Sequence, residues 1–184
     1  MVLTKTPICN FGEKIINFSL MNVDDRFYSL KELKGYNGTV VMFICNHCPY
    51  VKSIISRLKK TVLELKSMEV NSIAIMPNDT TNYPEDNFKN MKKFSNIHNF
   101  NFPYLLDENQ NIAKEYGAVC TPDFFGYNNN GELQYRGRLS EMKNLEFVDE
   151  RNELLDAMRL IMKTQKGPVE QYPSVGCSIK WKSN

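Results

Sequence analysis

Val40-Val41-Met42-Phe43-Ile44-Cys45-Asn46-His47-Cys48-Pro49-Tyr50-Val51 is the stretch whose reading decides the fold. Its first five residues form a continuous apolar, partly β-branched run of strand length with Gly38 just before it, so they read as a central strand covered on both faces. Beyond Pro49, residues Val51, Ile54, Ile55, Leu58, Val62 and Leu65 return at steps of three and four, the apolar face of a helix. A strand therefore carries Cys45 to the start of a helix, and two intervening residues place Cys48 about one turn along.

The flanking sequence repeats this alternation. Upstream, Phe18 to Val23 reads as a strand, and Ser29 with Glu32 forms a capping box for a short helix ending at Gly35. Downstream come a second buried strand, Val70 to Met76, and a polar loop ending at Tyr83-Pro84. A helix with Phe88, Met91 and Phe94 inward follows, then a short strand over Phe102 to Leu106 and a short helix stopped at Gly117. Asp123 to Tyr127, the turn Asn128 to Gly131, and Glu132 to Arg136 make a hairpin. The spacing predicts one closing helix over roughly Asn144 to Met162, with Leu145, Val148, Leu155, Met158 and Ile161 inward. The expectation is a single domain over residues 1–184, with its core at about 15–165 and a tail, 166–184, packed on it. Its class is α/β, a three-layer sandwich with a mixed central sheet flanked by helices.

Composition narrows the chemistry. The 184 residues are 42% hydrophobic and 24% charged, the balance of a globular chain. A net charge of +2 gives no reason to expect nucleic acid as partner. No apolar run approaches the roughly 20 residues that cross a bilayer, and residues 1–7 lack the apolar stretch of a secretory signal. The expected compartment is the cytoplasm, where a close cysteine pair is more often catalytic or metal-binding than structural. No glycine-rich run cradles a phosphate, and the carboxylates Glu85, Asp86, Asp107, Glu108 and Asp123 look scattered.

The chemistry then rests on Cys45-x-x-Cys48. The free N–H groups and positive end of a helix stabilise a thiolate, so Cys45 is expected to attack a substrate disulfide and Cys48 to resolve the mixed disulfide. The Cys45 pKa is accordingly expected below the free value of about 8.5, by one unit or more. His47, inside the loop, can favour the Cys45 thiolate by charge or hydrogen bonding. A second reading makes Cys45, Cys48, Cys120 and Cys177 ligands for zinc or an iron–sulfur centre, with His47 in reserve. Cys120 and Cys177 form no second knuckle, so no metal and no cofactor is expected.

These residues carry a resemblance. A strand, Cys45-x-x-Cys48 opening a long helix, and later Thr121-Pro122 before a hairpin resemble the thioredoxin fold. More closely, the chain resembles the peroxiredoxin-like branch of that superfamily, the alkyl hydroperoxide reductase and thiol-specific antioxidant group. The matching segments are Cys45 to Val51, Tyr83-Pro84-Glu85-Asp86, Phe102 to Leu105 with Asp107-Glu108, Tyr116 to Asp123, Tyr135-Arg136-Gly137 and Gly176 to Trp181. The resemblance implies a thiol–disulfide oxidoreductase acting on protein or small-molecule disulfides, with a thiol donor such as thioredoxin or glutathione. It also implies that Pro122 is a cis proline and that Thr121 presents its backbone edge to a bound substrate. Cys120 and Cys177 stand as accessory redox thiols, with a packed core thiol and an anchor for the tail as their plainer roles. Cys9 reads as a bystander.

Two other activities follow from the same resemblance. Peroxiredoxins place a hydroxyl residue three positions before the peroxidatic cysteine. Here Met42 precedes Cys45 at that spacing, and Cys45 itself precedes Cys48. Arg136 and Arg138 read as surface residues flanking a strand, which weakens the peroxidase reading further. A non-enzymatic module holding zinc or iron through its cysteines is the remaining alternative.

Overall fold

A computed structural model describes residues 3–183. In chain order the strands are β1 (Leu3–Lys5), β2 (Ser19–Asn22), β3 (Phe27–Ser29), β4 (Gly38–Phe43), β5 (Val70–Met76), β6 (Tyr104–Leu106), β7 (Cys120–Thr121), β8 (Asp123–Tyr127), β9 (Leu133–Gly137), β10 (Met142–Lys143), β11 (Glu146–Phe147) and β12 (Val175–Ser178). The helices are α1 (Leu30–Leu33), α2 (Pro49–Ser67), α3 (Phe88–His98), α4 (Asn111–Glu115) and α5 (Glu153–Thr164), with a 3-10 turn at Pro84–Asp86. Seven strands form one mixed sheet in the order β3-β2-β6-β5-β4-β8-β9. Pairings β4–β5 and β5–β6 are parallel, while the hairpins at both margins are antiparallel.

Strand β4 sits inside this sheet because every residue in it can be buried on one face or the other. Val40, Met42 and Ile44 join the apolar cluster under α2 and α5, whereas Val41 and Phe43 join the opposite cluster with Phe18, Leu30, Tyr116 and Phe125. Helix α2 buries Val51, Ile54, Ile55, Leu58, Val62 and Leu65, the stripe that its sequence periodicity predicts. The Ser29–Glu32 capping box is present at α1. The result is the mixed sheet flanked by helices of the thioredoxin architecture.

One element departs from the sequence reading. The closing helix does not begin near Asn144: α5 starts at Glu153, capped by the Asn152 side chain on the Leu155 N–H. Residues 142–147 instead fold as the small hairpin β10–β11, whose two turn residues, Asn144 and Leu145, both take positive φ. A left-handed Asn-Leu pair ends helical propagation, and it leaves Leu145 and Val148 exposed. Leu155, Met158 and Ile161 do face inward.

The other difference is in the tail. Strand β12 lies between β1 and β7 in a separate three-stranded sheet. Its register with β7 sets Cys177 opposite Thr121 and Ser178 opposite Cys120. Farther along, Ile179 N–H donates to Val119 O, Lys180 N–H to Asn78 Oδ1 and Asp79 N–H to Lys180 O. The tail is thereby strapped across the carboxyl ends of the central strands.

Candidate active site

Pairing with β5 runs one residue past β4, through the Ile44 N–H to Ile75 O bond, and Cys45-Asn46-His47 then bridges to α2. Cys48 is the N-cap of that helix, with Pro49 as the first helical residue, a position where proline loses no hydrogen bond. Cys45 and Cys48 are both fully buried.

A buried carboxylate organises the loop. Asp86 Oδ1 accepts the Asn46 N–H at 2.8 Å and the His47 N–H at 3.3 Å. Its Oδ2 meets His47 Nδ1 at 2.6 Å and accepts from Asn78 Nδ2 at 2.8 Å. Asn46 in turn donates to Glu85 O and accepts from the buried Tyr104 hydroxyl. Asp86 looks like one of several scattered acids in the sequence, and the structure makes it the anchor of the Cys45–Cys48 loop. The signal for it was the Tyr83-Pro84-Glu85-Asp86 segment, since a proline-initiated 3-10 turn is what aims this side chain inward.

Hydrogen bonding to Asp86 raises the His47 pKa above its ordinary value, with the negative charge of Asp86 adding to it and burial opposing. The ring stacks on Tyr83 at a 6.1 Å centroid distance and keeps 22% of its side-chain surface exposed. His47 thus stands partly open at the rim, with its protonated form favoured by Asp86.

The two cysteines of the pair are not equivalent in their surroundings. The Cys48 thiol is lowered to about 5, first by the hydrogen bond from Cys45, with Cys177 and the Val51 and Cys177 backbone adding to it against burial. Cys45 is raised instead, chiefly by burial, then by donating to Cys48 and by the charge of Asp86. Within this coupled pair the downward shift falls on Cys48 and the upward one on Cys45, where the sequence reading expects the lower value on Cys45. The physical difference is position: Cys48 is the N-cap residue at the positive end of α2, while Cys45 lies three residues before it with the charge of Asp86 nearby. The Thr121 carbonyl, 3.1 Å from Cys48 Sγ, opposes this by accepting from the protonated thiol.

Thr121-Pro122 is a cis peptide, as the resemblance implies. Thr121 meets the pair twice: its Oγ1 lies 3.2 Å from Cys45 Sγ, and its carbonyl faces Cys48. The backbone edge that Thr121 is expected to offer a substrate is taken by β12, which brings Cys177 Sγ to 2.8 Å from Cys48 Sγ. Burial raises the Cys177 thiol to about 12, helped by its bond to Cys48. Cys120 faces Pro122 O at 3.5 Å, and burial raises its pKa strongly, so it stays a neutral core thiol. Cys9 stands apart near Arg136, raised to about 11 by burial.

Neither arginine flanking the hairpin is a surface residue of the kind expected. Arg136 is buried, donates to Asp123 Oδ2 and Gly117 O, and lies over the Phe125 ring. Arg138 forks onto Glu153. Both guanidiniums are committed to structural partners. Arg138 also lines a cavity of about 160 Å³, with Tyr50, Pro122, Ser140, Met142 and Val175 among its walls.

Cys45 Sγ, His47 and Asp86 place ligand atoms within 4.8 Å of one another, the one such group among the described residues. This set differs from the four cysteines that the sequence suggested. Two of its members, His47 Nδ1 and Asp86 Oδ2, already bond each other at 2.6 Å, and a metal would have to break that pair. Among the described residues no helix is long and apolar enough to cross a membrane.

Comparison with known proteins agrees with this geometry. The family model described as AhpC/TSA family matches residues 11–136. An uncharacterized conserved protein from Geobacillus kaustophilus is 36% identical, with a TM-score of 0.95 over 100% of this chain and 98% of its own. A hypothetical protein from Sinorhizobium meliloti is 30% identical, with a TM-score of 0.90 over 98% of this chain and 100% of its own. A secreted disulfide oxidoreductase of Mycobacterium tuberculosis shares the fold at 19% identity and a TM-score of 0.56, over 68% of this chain and 87% of its own. No curated protein matches the chain.

Proposed function

The chain belongs to the AhpC/TSA family, and from that premise we propose that it is a thiol–disulfide oxidoreductase working through Cys45 and Cys48. The observation that carries this reading is geometric: Cys48 at the α2 N-cap and Cys45 three residues before it both have their sulfurs against Thr121 of the cis Thr121-Pro122 peptide. In the proposed cycle the Cys48 thiolate attacks one sulfur of a substrate disulfide, and the other substrate sulfur leaves as a thiolate. Cys45 then gives up its proton and attacks Cys48 Sγ, the second substrate thiolate departs, and a Cys45–Cys48 disulfide remains. A thiol donor such as glutathione or thioredoxin reverses the sequence. In this cycle the electrons stay on sulfur throughout, and the compartment that suits such a dithiol donor is the cytoplasm.

His47 supports the first step in its protonated form, which the bond to Asp86 favours and which attracts the Cys48 thiolate. The cavity walled by Tyr50 and Pro122 offers space for the group flanking the substrate disulfide. Peroxide reduction is the weaker reading. Its one favourable observation is the Thr121 hydroxyl at 3.2 Å from Cys45, which supplies from β7 the group that Met42 does not. Against it, Arg136 is tied to Asp123 and Arg138 to Glu153.

The deciding experiment is thiol trapping with peptide mapping of the reduced protein across a series of glutathione redox buffers. Wild type would be run beside Cys45→Ser and Cys48→Ser. Reversible loss of two thiols that needs Cys48 supports the oxidoreductase. Thiols that stay silent until a chelator strips a metal would assign the cluster to metal binding instead.

A further inference from the structure

The cycle above uses two sulfurs, and the structure gathers three. Cys177 arrives from the opposite end of the chain, and its Sγ lies 2.8 Å from that of Cys48. This separation is longer than the roughly 2.05 Å of a disulfide bond and shorter than an ordinary contact between unbonded sulfurs, so the two sulfurs stand within reach of bonding. The placement is built by the backbone. Cys177 is paired with Thr121 in the antiparallel β12–β7 register, with Gly176 next to it. A Cβ at Gly176 would collide with the Thr121 carbonyl, so only glycine lets the strand come this close. Outside the register, the bonds of Ile179, Lys180 and Lys182 to Val119, Asn78 and Gln110 hold the tail at depth.

The strand thus lies where an extended substrate would pair with Thr121, and it offers a sulfur to Cys48 from that side. We propose that Cys177 is a second resolving thiol, which competes with Cys45 for the mixed disulfide on Cys48 and leaves a Cys48–Cys177 disulfide that locks the tail over the site. The proposal rests on the oxidoreductase reading and extends it.

The chemistry balances without a further reagent. Once a substrate half is bonded to Cys48, Cys177 loses its proton and attacks Cys48 Sγ. The Cys48–substrate bond breaks, the substrate leaves as a thiolate and takes up that proton. One substrate disulfide has become two thiols, and two protein thiols have become one disulfide. The same attack on a preformed Cys45–Cys48 disulfide expels Cys45 as a thiolate, so either disulfide converts to the other with no net oxidation. Cys120 stays outside this exchange, because its sulfur faces the Pro122 carbonyl.

The test uses the full-length protein with oxidised glutathione as the probe. Cys45→Ser, Cys177→Ser and the double variant are oxidised, acid-quenched and mapped by mass spectrometry. In Cys45→Ser the expected product is a Cys48–Cys177 peptide, with at least roughly tenfold less glutathione held on Cys48 than in the double variant. Equal glutathione on Cys48 in the two would overturn the proposal. Cys177→Ser reports on the underlying reading separately: it should still form Cys45–Cys48, and its failure to do so would strike the two-cysteine cycle rather than the third thiol. If Cys45→Ser does not fold, the wild-type digest decides. A Cys48–Cys177 peptide beside the Cys45–Cys48 one supports the relay, and Cys45–Cys48 alone rejects it.

Discussion

Cys48 and Cys45 are three residues apart and chemically opposite, because a thiol's acidity is set by what it can accept and how dry its surroundings are. Cys48 sits at the positive end of a helix with Cys177 Sγ 2.8 Å away; Cys45 has the charge of Asp86 nearby. The spacing in the sequence announced a reactive pair but could not assign the thiolate, since that depends on where the helix begins. The first turn starts at Pro49, not at Cys45. A titration of reduced protein by thiolate absorbance should therefore find one inflection near 5 that disappears in Cys48→Ser. In Cys45→Ala, which removes the leading donor, that inflection should move up by about one unit or more. Stability follows with a definite sign. A thiol whose folded pKa is depressed contributes stability that is present above its unfolded value near 9 and is lost as pH falls through about 5. Urea unfolding of reduced wild type should accordingly gain on Cys48→Ser between roughly pH 5 and pH 9. A flat difference across that range would return the thiolate to another sulfur.

At the scale of elements, the site is a junction of three pieces of chain held by one carboxylate. Asp86, at the end of the Pro84–Asp86 turn, bonds both the Cys45–His47 loop and Asn78 after β5, and Asn78 passes the connection on to Lys180 in the tail. Periodicity exposed the strands and helices around this junction, because α2 and β4 announce their buried faces in their own sequence. It could not expose Asp86, whose partners lie 8 to 40 positions away. Nor could it find β12, a strand of four residues defined by its neighbours rather than by alternation. The misplaced start of α5 has the same origin, since Leu145 and Val148 fit a helical stripe that the Asn144–Leu145 turn interrupts. Removing the carboxylate with Asp86→Ala leaves the Cys45–His47 loop and Asn78 without the acceptor they share. The expected loss is about 3 kcal/mol in denaturant unfolding, with the His47 pKa dropping toward its ordinary value near 6.5 by NMR titration. Unchanged stability with an unchanged His47 would mean that the loop holds its shape without this anchor.

Over the whole molecule the redox pair ties together segments that the chain order keeps far apart. A thioredoxin-type sheet was legible from the alternation of strand and helix, and Cys45-x-x-Cys48 marked its reactive edge. What the sequence left open was how the last twenty residues return to that edge, because such a return is fixed by backbone pairing across the sheet ends. Its consequence is thermodynamic as well as chemical. A Cys45–Cys48 disulfide closes a loop of only a few residues, whereas a Cys48–Cys177 disulfide closes one spanning 129 positions. In the chain-entropy account the short loop stabilises the fold by about 2 kcal/mol and the long one by about 5 kcal/mol. Oxidised Cys45→Ser, which can form only the long loop, should therefore gain about 3 kcal/mol more over its reduced form than oxidised Cys177→Ser gains over its own. The measurement is a pair of denaturant curves for each variant, oxidised and reduced, and each comparison is internal to one variant, so the cost of either substitution cancels. A gain in Cys45→Ser no larger than that in Cys177→Ser would mean that closing the long loop strains the native tail by as much as it restricts the unfolded chain. The 2.8 Å approach of two thiols already held by paired strands argues for the larger gain, since little backbone must move for the bond to form.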